Sequence, residues 1–496
     1  MGFQLGTIDT SILIVYGLVL VGMGAYFFRK TKTSEQFMVA GRGIPAWAAG
    51  LAVMSAYTSS NSYIAVPGKA LDSNWHPLIF ALSAIPVAWF VTKYVVPYYR
   101  KKNIISVYGY LEEKIGAWAS IYASLSFVLF MIGRTAVILY LSSLLLSSFI
   151  AVDIRMLIIV IGIVTIIYTL MGGMEAVIWT DVMQSVIMIG GIIFIGILLT
   201  KEVFAQPDFL IQNAFDAKKF SLGETTFSLS SRTIWVMIIY GVSENIRNLI
   251  ADQNYTQKYC SVPDEKQAKK SVWIAMLIYL PLTALFLYIG TTLFAYYSGP
   301  DQMLGEAITK GDQVFPHFIA TQLPVGVKGL IIAAILAASM STIDSALNCS
   351  ATVLFVDYYK KYFKPSASES NSVNFLRLTT VIWGIAGVAV ALLLINAKSA
   401  LDIWWIIAGI FGGGILGLFL LGIFNVKIKK TQGIISVVFS ILIIIWGSFL
   451  RDLPDNFAWL ESKIDPIIIG AMSTLGLVLL ALLFVMANKL SIRKRT

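Results

Sequence analysis

Apolar stretches long enough to cross a hydrocarbon core of ~30 Å alternate with short polar connections along the whole chain. They fall near residues 10–29, 45–71, 77–98, 118–148, 153–171, 176–199, 233–256, 271–297, 326–357, 375–395, 399–424, 431–450 and 465–488. The pattern predicts an all-α polytopic membrane protein with about 13 transmembrane helices, forming a single transmembrane domain over residues 1–496.

Two of these runs are interrupted. The second carries Tyr57-Thr58-Ser59-Ser60-Asn61-Ser62-Tyr63, followed by Pro67-Gly68. Consecutive hydroxyl and amide side chains in such number cannot share one helical stripe, so unwound backbone around a polar cavity is expected there. The seventh run has Gly241-Val242-Ser243-Glu244-Asn245, then Arg247, Asn248 and Asp252. Broken helices five spans apart, entering from opposite sides, are what a five-plus-five inverted repeat would produce, and in this the pattern resembles the leucine-transporter-like architecture. The units are expected at about 45–199 and 233–424, with one extra N-terminal and two extra C-terminal helices.

Composition narrows the function. The chain is 57% apolar and 13% charged, against about a quarter charged in soluble domains, which excludes a soluble enzyme. Cys260 and Cys349 are too few for a disulfide framework, and His76 and His317 make no multi-histidine zinc site. An intramembrane enzyme would need a nucleophile with a base or a metal set, and none is legible.

A net charge of +10 raises nucleic acid as a partner, but the basic residues follow topology instead. Alternate connections hold 22 Lys and Arg against 10, Lys258 being counted in the richer set. This bias puts the N-terminus outside and the C-terminus in the cytoplasm. Arg29, Lys30 and Lys32 follow the first apolar run, so it is expected to be retained as a helix and not cleaved as a signal.

Charges within the runs need a reason. Arg134 lies mid-span, where a bare cation costs at least ~2.5 kcal/mol on insertion scales. It is either an ion-pair partner, for instance of Glu244, or a guanidinium that takes a substrate carboxylate; the sequence leaves both open. In the ninth run Ser341, Asp344, Ser345, Asn348 and Thr352 recur at i, i+3, i+4, i+7 and i+11. One helical face therefore carries oxygen donors, with Ala338 and Thr342 beside it. A hard cation stripped of water needs several such oxygens, and unwound carbonyls of the second run can complete the shell. The competing reading is small-residue packing held by interhelical hydrogen bonds, for which Asp344 is not needed. Asp181, one turn into the sixth run, is a further ion-site candidate, while Glu175, nearer the interface, is read as solvated, and Lys69 and Asp402 are left unassigned.

The segments Gly172 to Gln184 and Ala334 to Ser345 resemble the signature segments of the sodium:solute symporter family, and the resemblance spans nearly the whole chain. Val66-Pro67-Gly68-Lys69-Ala70, Ser73-Asn74-Trp75, Ile132-Gly133-Arg134 and Ala251-Asp252-Gln253-Asn254-Tyr255 are most similar to those of bacterial sodium/sialic acid symporters. The resemblance implies a first sodium site from the carbonyls of Ser55, Thr58 and Ala338 with the hydroxyls of Ser341 and Thr342. It implies a second from Asp181, Ser341, Asp344 and Ser345, and a substrate site from Arg134, Ser59, Ser62, Tyr57, Pro77 and Ala81. Here Asp344 stands where the pattern has a serine, and Tyr57 and Ala81 where it has a threonine and a glutamine. A second carboxylate either strengthens the ion site or carries a proton.

The implied function is non-enzymatic: Na+-coupled import of sialic acid by alternating access across the bacterial cytoplasmic membrane. Another small solute, such as proline or pantothenate, is the alternative. The partners would be a small anionic solute, sodium ions and the lipid bilayer, with no nucleic acid, and the chain would work as a monomer.

Overall fold

The computed structural model of the chain describes residues 5–493 other than 151, 205–206, 299–310, 396–411, 413 and 452–453. Among them the secondary structure is helical throughout, with no strand. Helix α1 (Thr7–Phe28) is followed by the short α2 (Ser34–Val39), then by α3 (Ala46–Tyr57) and α4 (Ser60–Asp72), the two halves of the second span. The third span is α5 (Pro77–Phe90), continued through a π-helical turn at Val91–Val95 into α6 (Val96–Lys101). After α7 (Tyr108–Lys114), α8 (Ala117–Phe149) forms the fourth.

The next helix, α9 (Ile154–Phe204), contains the fifth and sixth spans in 51 residues. At ~1.5 Å per residue it would run ~75 Å if straight, more than twice a bilayer core. Gly173 breaks it, with φ 59° and ψ −150°. This backbone region is essentially restricted to glycine, and a Cβ here would lie 2.8 Å from both the Cα and the carbonyl oxygen of Phe37.

The second half mirrors these breaks. After α10 (Pro207–Asp216), α11 (Ile234–Ile246) runs through a π-helical turn at Arg247–Ala251 to an extended residue, Asp252, before α12 (Gln253–Cys260). The dihedrals of Asp252 (φ −100°, ψ 115°) nearly repeat those of Thr58 (φ −114°, ψ 104°) in the second span. Then come α13 (Glu265–Tyr297), α14 (Gly311–Gln322), α15 (Val327–Leu354, extended by a π-helical segment to Phe363) and α16 (Glu369–Leu394). Helices α17 (Gly414–Ile423), α18 (Lys430–Phe449) and α19 (Ile469–Arg493) complete the chain.

Nine described helices are long and apolar enough to cross a membrane unaided. The expected set of 13 also counts the two interrupted spans, the division of α9 at Gly173, and the eleventh span, of which residues 399–411 and 413, including Asp402, lie outside the described residues.

Burial separates the lipid-facing helices from the core. On α1, Ile14 (58%), Val15 (58%) and Leu18 (66%) are exposed, a surface that would aggregate in water but is at home against acyl chains. Helix α15 is the opposite: every residue from Ile331 to Val353 is buried, polar ones included. It packs against α1, α8 and α9 and against both halves of the broken second span. The Ser142 and Ser339 hydroxyls meet at 2.7 Å where α8 and α15 cross. Asp9 on α1 accepts hydrogen bonds from Gly326 N–H and Gly329 N–H, both 2.7 Å, and so caps α15 at its N-terminus.

Candidate substrate and sodium sites

The break in the second span follows from its residue types. Thr58 and Ser59 both take extended backbone, as hydroxyl residues that compete for backbone hydrogen bonds favour. The Thr58 N–H turns back to the Ser55 carbonyl (3.1 Å), and the Ser59 N–H donates to Ser62 Oγ (3.3 Å). The Ala56 carbonyl, freed of its helical partner, accepts from Tyr255 Oη (3.0 Å) and from an amino group of Arg134 (3.3 Å). Fragments of both broken helices and of α8 thus converge on one unwound turn.

Glu244 does not pair with Arg134. Its carboxylate is held by Arg247, whose Nε lies 3.0 Å from each oxygen, and Arg247 also reaches Asp252 at 3.4 Å. Among the described residues no carboxylate stands within ion-pair distance of Arg134, so its half-buried guanidinium remains directed at the break.

Tyr57 is buried between Tyr255 and Tyr279, ring centroids 4.7 and 4.9 Å away. Tyr279 also meets Phe80 (6.4 Å), which adjoins Ala81 in the first turns of α5, where Pro77 starts the helix. Asn245 pins α11 to α5 by donating to the Phe80 carbonyl and Ser83 Oγ. The structure therefore brings Arg134, Tyr57, Ser59 and Ser62 to one break and sets Pro77 and Ala81 on a helix joined to it through aromatic rings. Tyr279 went unnoticed in the sequence, because a tyrosine in an apolar run carries no signal of its own, and Tyr255 stood there only as part of a resembling segment, with no role.

On α15, Ser341 Oγ and Thr342 Oγ1 both donate to the Ala338 carbonyl at 3.2 Å, gathering three buried oxygens within one turn of the helix. The lower part of the polar stripe serves another purpose. Gln257 of α12 donates to Asn348 Oδ1 (2.9 Å) and Thr352 Oγ1 (3.0 Å), so packing by interhelical hydrogen bonds accounts for those two positions.

Asp181 and Asp344 are both fully buried. Asp344 accepts from Tyr168 Oη (2.9 Å) and Ser345 Oγ (3.2 Å), and Thr180 Oγ1, which lies 2.9 Å from two carbonyls of its own helix, stands 3.4 Å away. Asp181 Oδ2 lies 2.8 Å from the ammonium of Lys258. That lysine corrects the sequence reading: counted with the cytoplasmic connections, it is wholly buried on α12. The apolar run ends just before it, and the packing of α2, α3, α13 and α15 around α12, with Asp181 of α9 against its ammonium, encloses it. The basic bias becomes 21 against 10 and keeps its direction.

Residues 37–439 match the profile of the Sodium:solute symporter family. The chain belongs to this family. The symporter is 34% identical to the sodium/sialic acid symporter NanT of Aliivibrio fischeri over 472 residues, 94% of this chain and 93% of the other. It is 33% identical to the sodium/sialic acid symporter SiaT of Proteus mirabilis over 491 residues, covering 98% and 97%. Its fold matches that of a substrate-bound, outward-open Na+-coupled sialic acid symporter with a TM-score of 0.87 and 31% identity, over 96% and 97% of the two chains. The nucleobase-cation-symport-1 transporter Mhp1 shares the fold alone: TM-score 0.56, 13% identity, over 90% and 92% of the chains. The symporter is thus a multi-pass membrane transporter and not an enzyme, with sodium as its coupling ion.

Proposed function

We propose that the symporter imports sialic acid (N-acetylneuraminate) with Na+ across the bacterial cytoplasmic membrane by alternating access. The observation that carries this reading is the Arg134 guanidinium, directed at an unwound turn and without a carboxylate partner among the described residues. A mid-membrane cation in that state is suited to a substrate carboxylate, which it can take in bidentate geometry. The near end-to-end match with two sialic acid symporters supports sialic acid over proline or pantothenate.

In this reading Arg134 anchors the carboxylate, Ser59 and Ser62 bond substrate oxygens, and Tyr57, Pro77 and Ala81 shape the pocket. Sodium binds the carbonyls of Ser55, Thr58 and Ala338 with the hydroxyls of Ser341 and Thr342, bridging the broken second span to α15. An ion that bridges these elements favours the state in which they are together, so ion and solute strengthen each other's binding by the same factor. Alternating access is the rocking of one helix bundle against the other, within repeat units of about 45–199 and 233–424. The N-terminus lies outside and the C-terminus in the cytoplasm, as the basic bias indicates. One chain supplies every proposed ligand, so a monomer suffices.

Uptake of labelled sialic acid into proteoliposomes, with and without an inward sodium gradient, tests the reading. Gradient-driven uptake that excess proline and pantothenate leave unchanged is expected. Absent or gradient-independent uptake refutes it.

A further inference from the structure

Both carboxylates that family resemblance assigns to a second sodium ion already have partners within the chain. Ser345 and Tyr168 donate to Asp344. Asp181 faces an ammonium through Oδ2, while its Oδ1 has no hydrogen-bond partner among the described residues. Lys258 Nζ stands 2.8 Å from Asp181 Oδ2 on α9 and donates to the Ala52 carbonyl on α3 at 3.0 Å. A carboxylate oxygen and a backbone carbonyl from separate elements are the donor types that a dehydrated monovalent cation takes. Here they are bridged by a positive charge that the chain itself carries, fully enclosed and on a third element.

We propose that the Lys258 ammonium occupies the second cation position as a tethered substitute for sodium, so that one sodium ion, not two, binds and moves with each substrate. This rests on the sodium-coupled reading above and adds a residue that sets its stoichiometry. The physical reason is competition for one carboxylate. A buried ammonium is desolvated once, on folding, and then stays within reach of Asp181, whereas a sodium ion must give up its water shell at every cycle. With the ammonium in contact, a second cation there would meet like charge at close range in a low dielectric. Asp344 alone does not restore the site, since hydroxyls already donate to both of its oxygens.

The test counts bound radioactive sodium per purified protein at saturation, a measurement that needs no substrate. Wild type is expected to bind one sodium, and sodium-driven uptake to be first order in sodium. In Lys258→Met, which keeps length and removes charge, Asp181 is released to act with Asp344, and the count is expected to rise to two. Two sodium ions bound with Lys258 intact overturn the proposal, as does a Lys258→Met protein that binds sialic acid normally and still holds one. If Lys258→Met alone does not fold, the wild-type count decides, and Lys258→Met/Asp181→Asn is expected to fold and to hold one. One bound sodium without sialic acid uptake defeats the substrate reading and leaves this proposal standing; no bound sodium defeats both.

Discussion

Arg134 and Tyr255 meet at a single backbone oxygen, the Ala56 carbonyl, from 3.3 and 3.0 Å. One comes from the fourth span and the other from beyond the break in the seventh, so the carbonyl exposed by unwinding the second span is held by both halves of the protein. The tyrosine satisfies the carbonyl by itself, and the guanidinium keeps further donors to offer a ligand.

Replacing Arg134 with alanine is therefore expected to weaken sialic acid binding far more than it disturbs the fold. Two charge-assisted hydrogen bonds at ~1.5 kcal/mol each correspond to about 100-fold in Kd. Calorimetric titration of the purified variant checks this, with sodium binding measured alongside. Unchanged sialic acid affinity would return Arg134 to a structural role.

Thr342→Ala removes one of the hydroxyls gathered at the Ala338 carbonyl. The sodium concentration for half-maximal uptake is expected to rise about tenfold, the loss of ~1.4 kcal/mol in ion binding, while substrate affinity at saturating sodium stays near wild type. An unchanged sodium dependence removes Thr342 from the ion's shell.

Gly173→Ala puts a Cβ into a backbone region that costs ~1 to 3 kcal/mol for other residues, against the Phe37 backbone at 2.8 Å. A lower melting temperature by several degrees, or loss of folded protein, is expected in detergent thermal denaturation. A melting temperature equal to wild type contradicts the assigned turn.

His76, in the connection before α5, is held neutral. Burial first, then the nearby Arg232 and Lys69, push its pKa down from 6.5 to about 4. The Asn74 amide oxygen accepts from both the His76 backbone N–H (3.1 Å) and its ring Nδ1 (2.8 Å), a pairing that suits a neutral ring protonated at Nδ1. Between those two values the unfolded chain binds the proton and the folded one does not, so stability falls as pH drops from about 6.5 toward about 4. Thermal denaturation across this range should show a smaller decline in His76→Gln than in wild type; equal slopes exclude His76 as a contributor.

The two breaks were legible because polar residues inside apolar runs have few explanations in a membrane. The partners were less so. Glu244 and Arg247 sit three apart on one helix, a spacing that pairs them directly, yet the more distant Arg134 competed for the same carboxylate on paper. Asn348 and Thr352 shared the periodicity of Ser341 and Ser345, and periodicity cannot tell an ion's face from a neighbouring helix's. In α15 that distinction fails altogether, since the helix is buried on every side. Lys258 was hidden by the rule that reads a lysine beyond an apolar run as interfacial. Its burial is a tertiary fact, set by helices far away in the sequence.

The Lys258 to Asp181 pair also bears on how far the cell can concentrate its substrate. A tethered cation completes every cycle inside the protein and so does no electrical work across the membrane. Each additional sodium carried would add ~2.3 kcal/mol per 100 mV of membrane potential. With one sodium moving beside one monoanion, no net charge crosses, and the accumulation ratio at equilibrium equals the sodium concentration ratio whatever the voltage. Cells whose membranes depolarise would keep their uptake capacity for as long as they keep their sodium gradient.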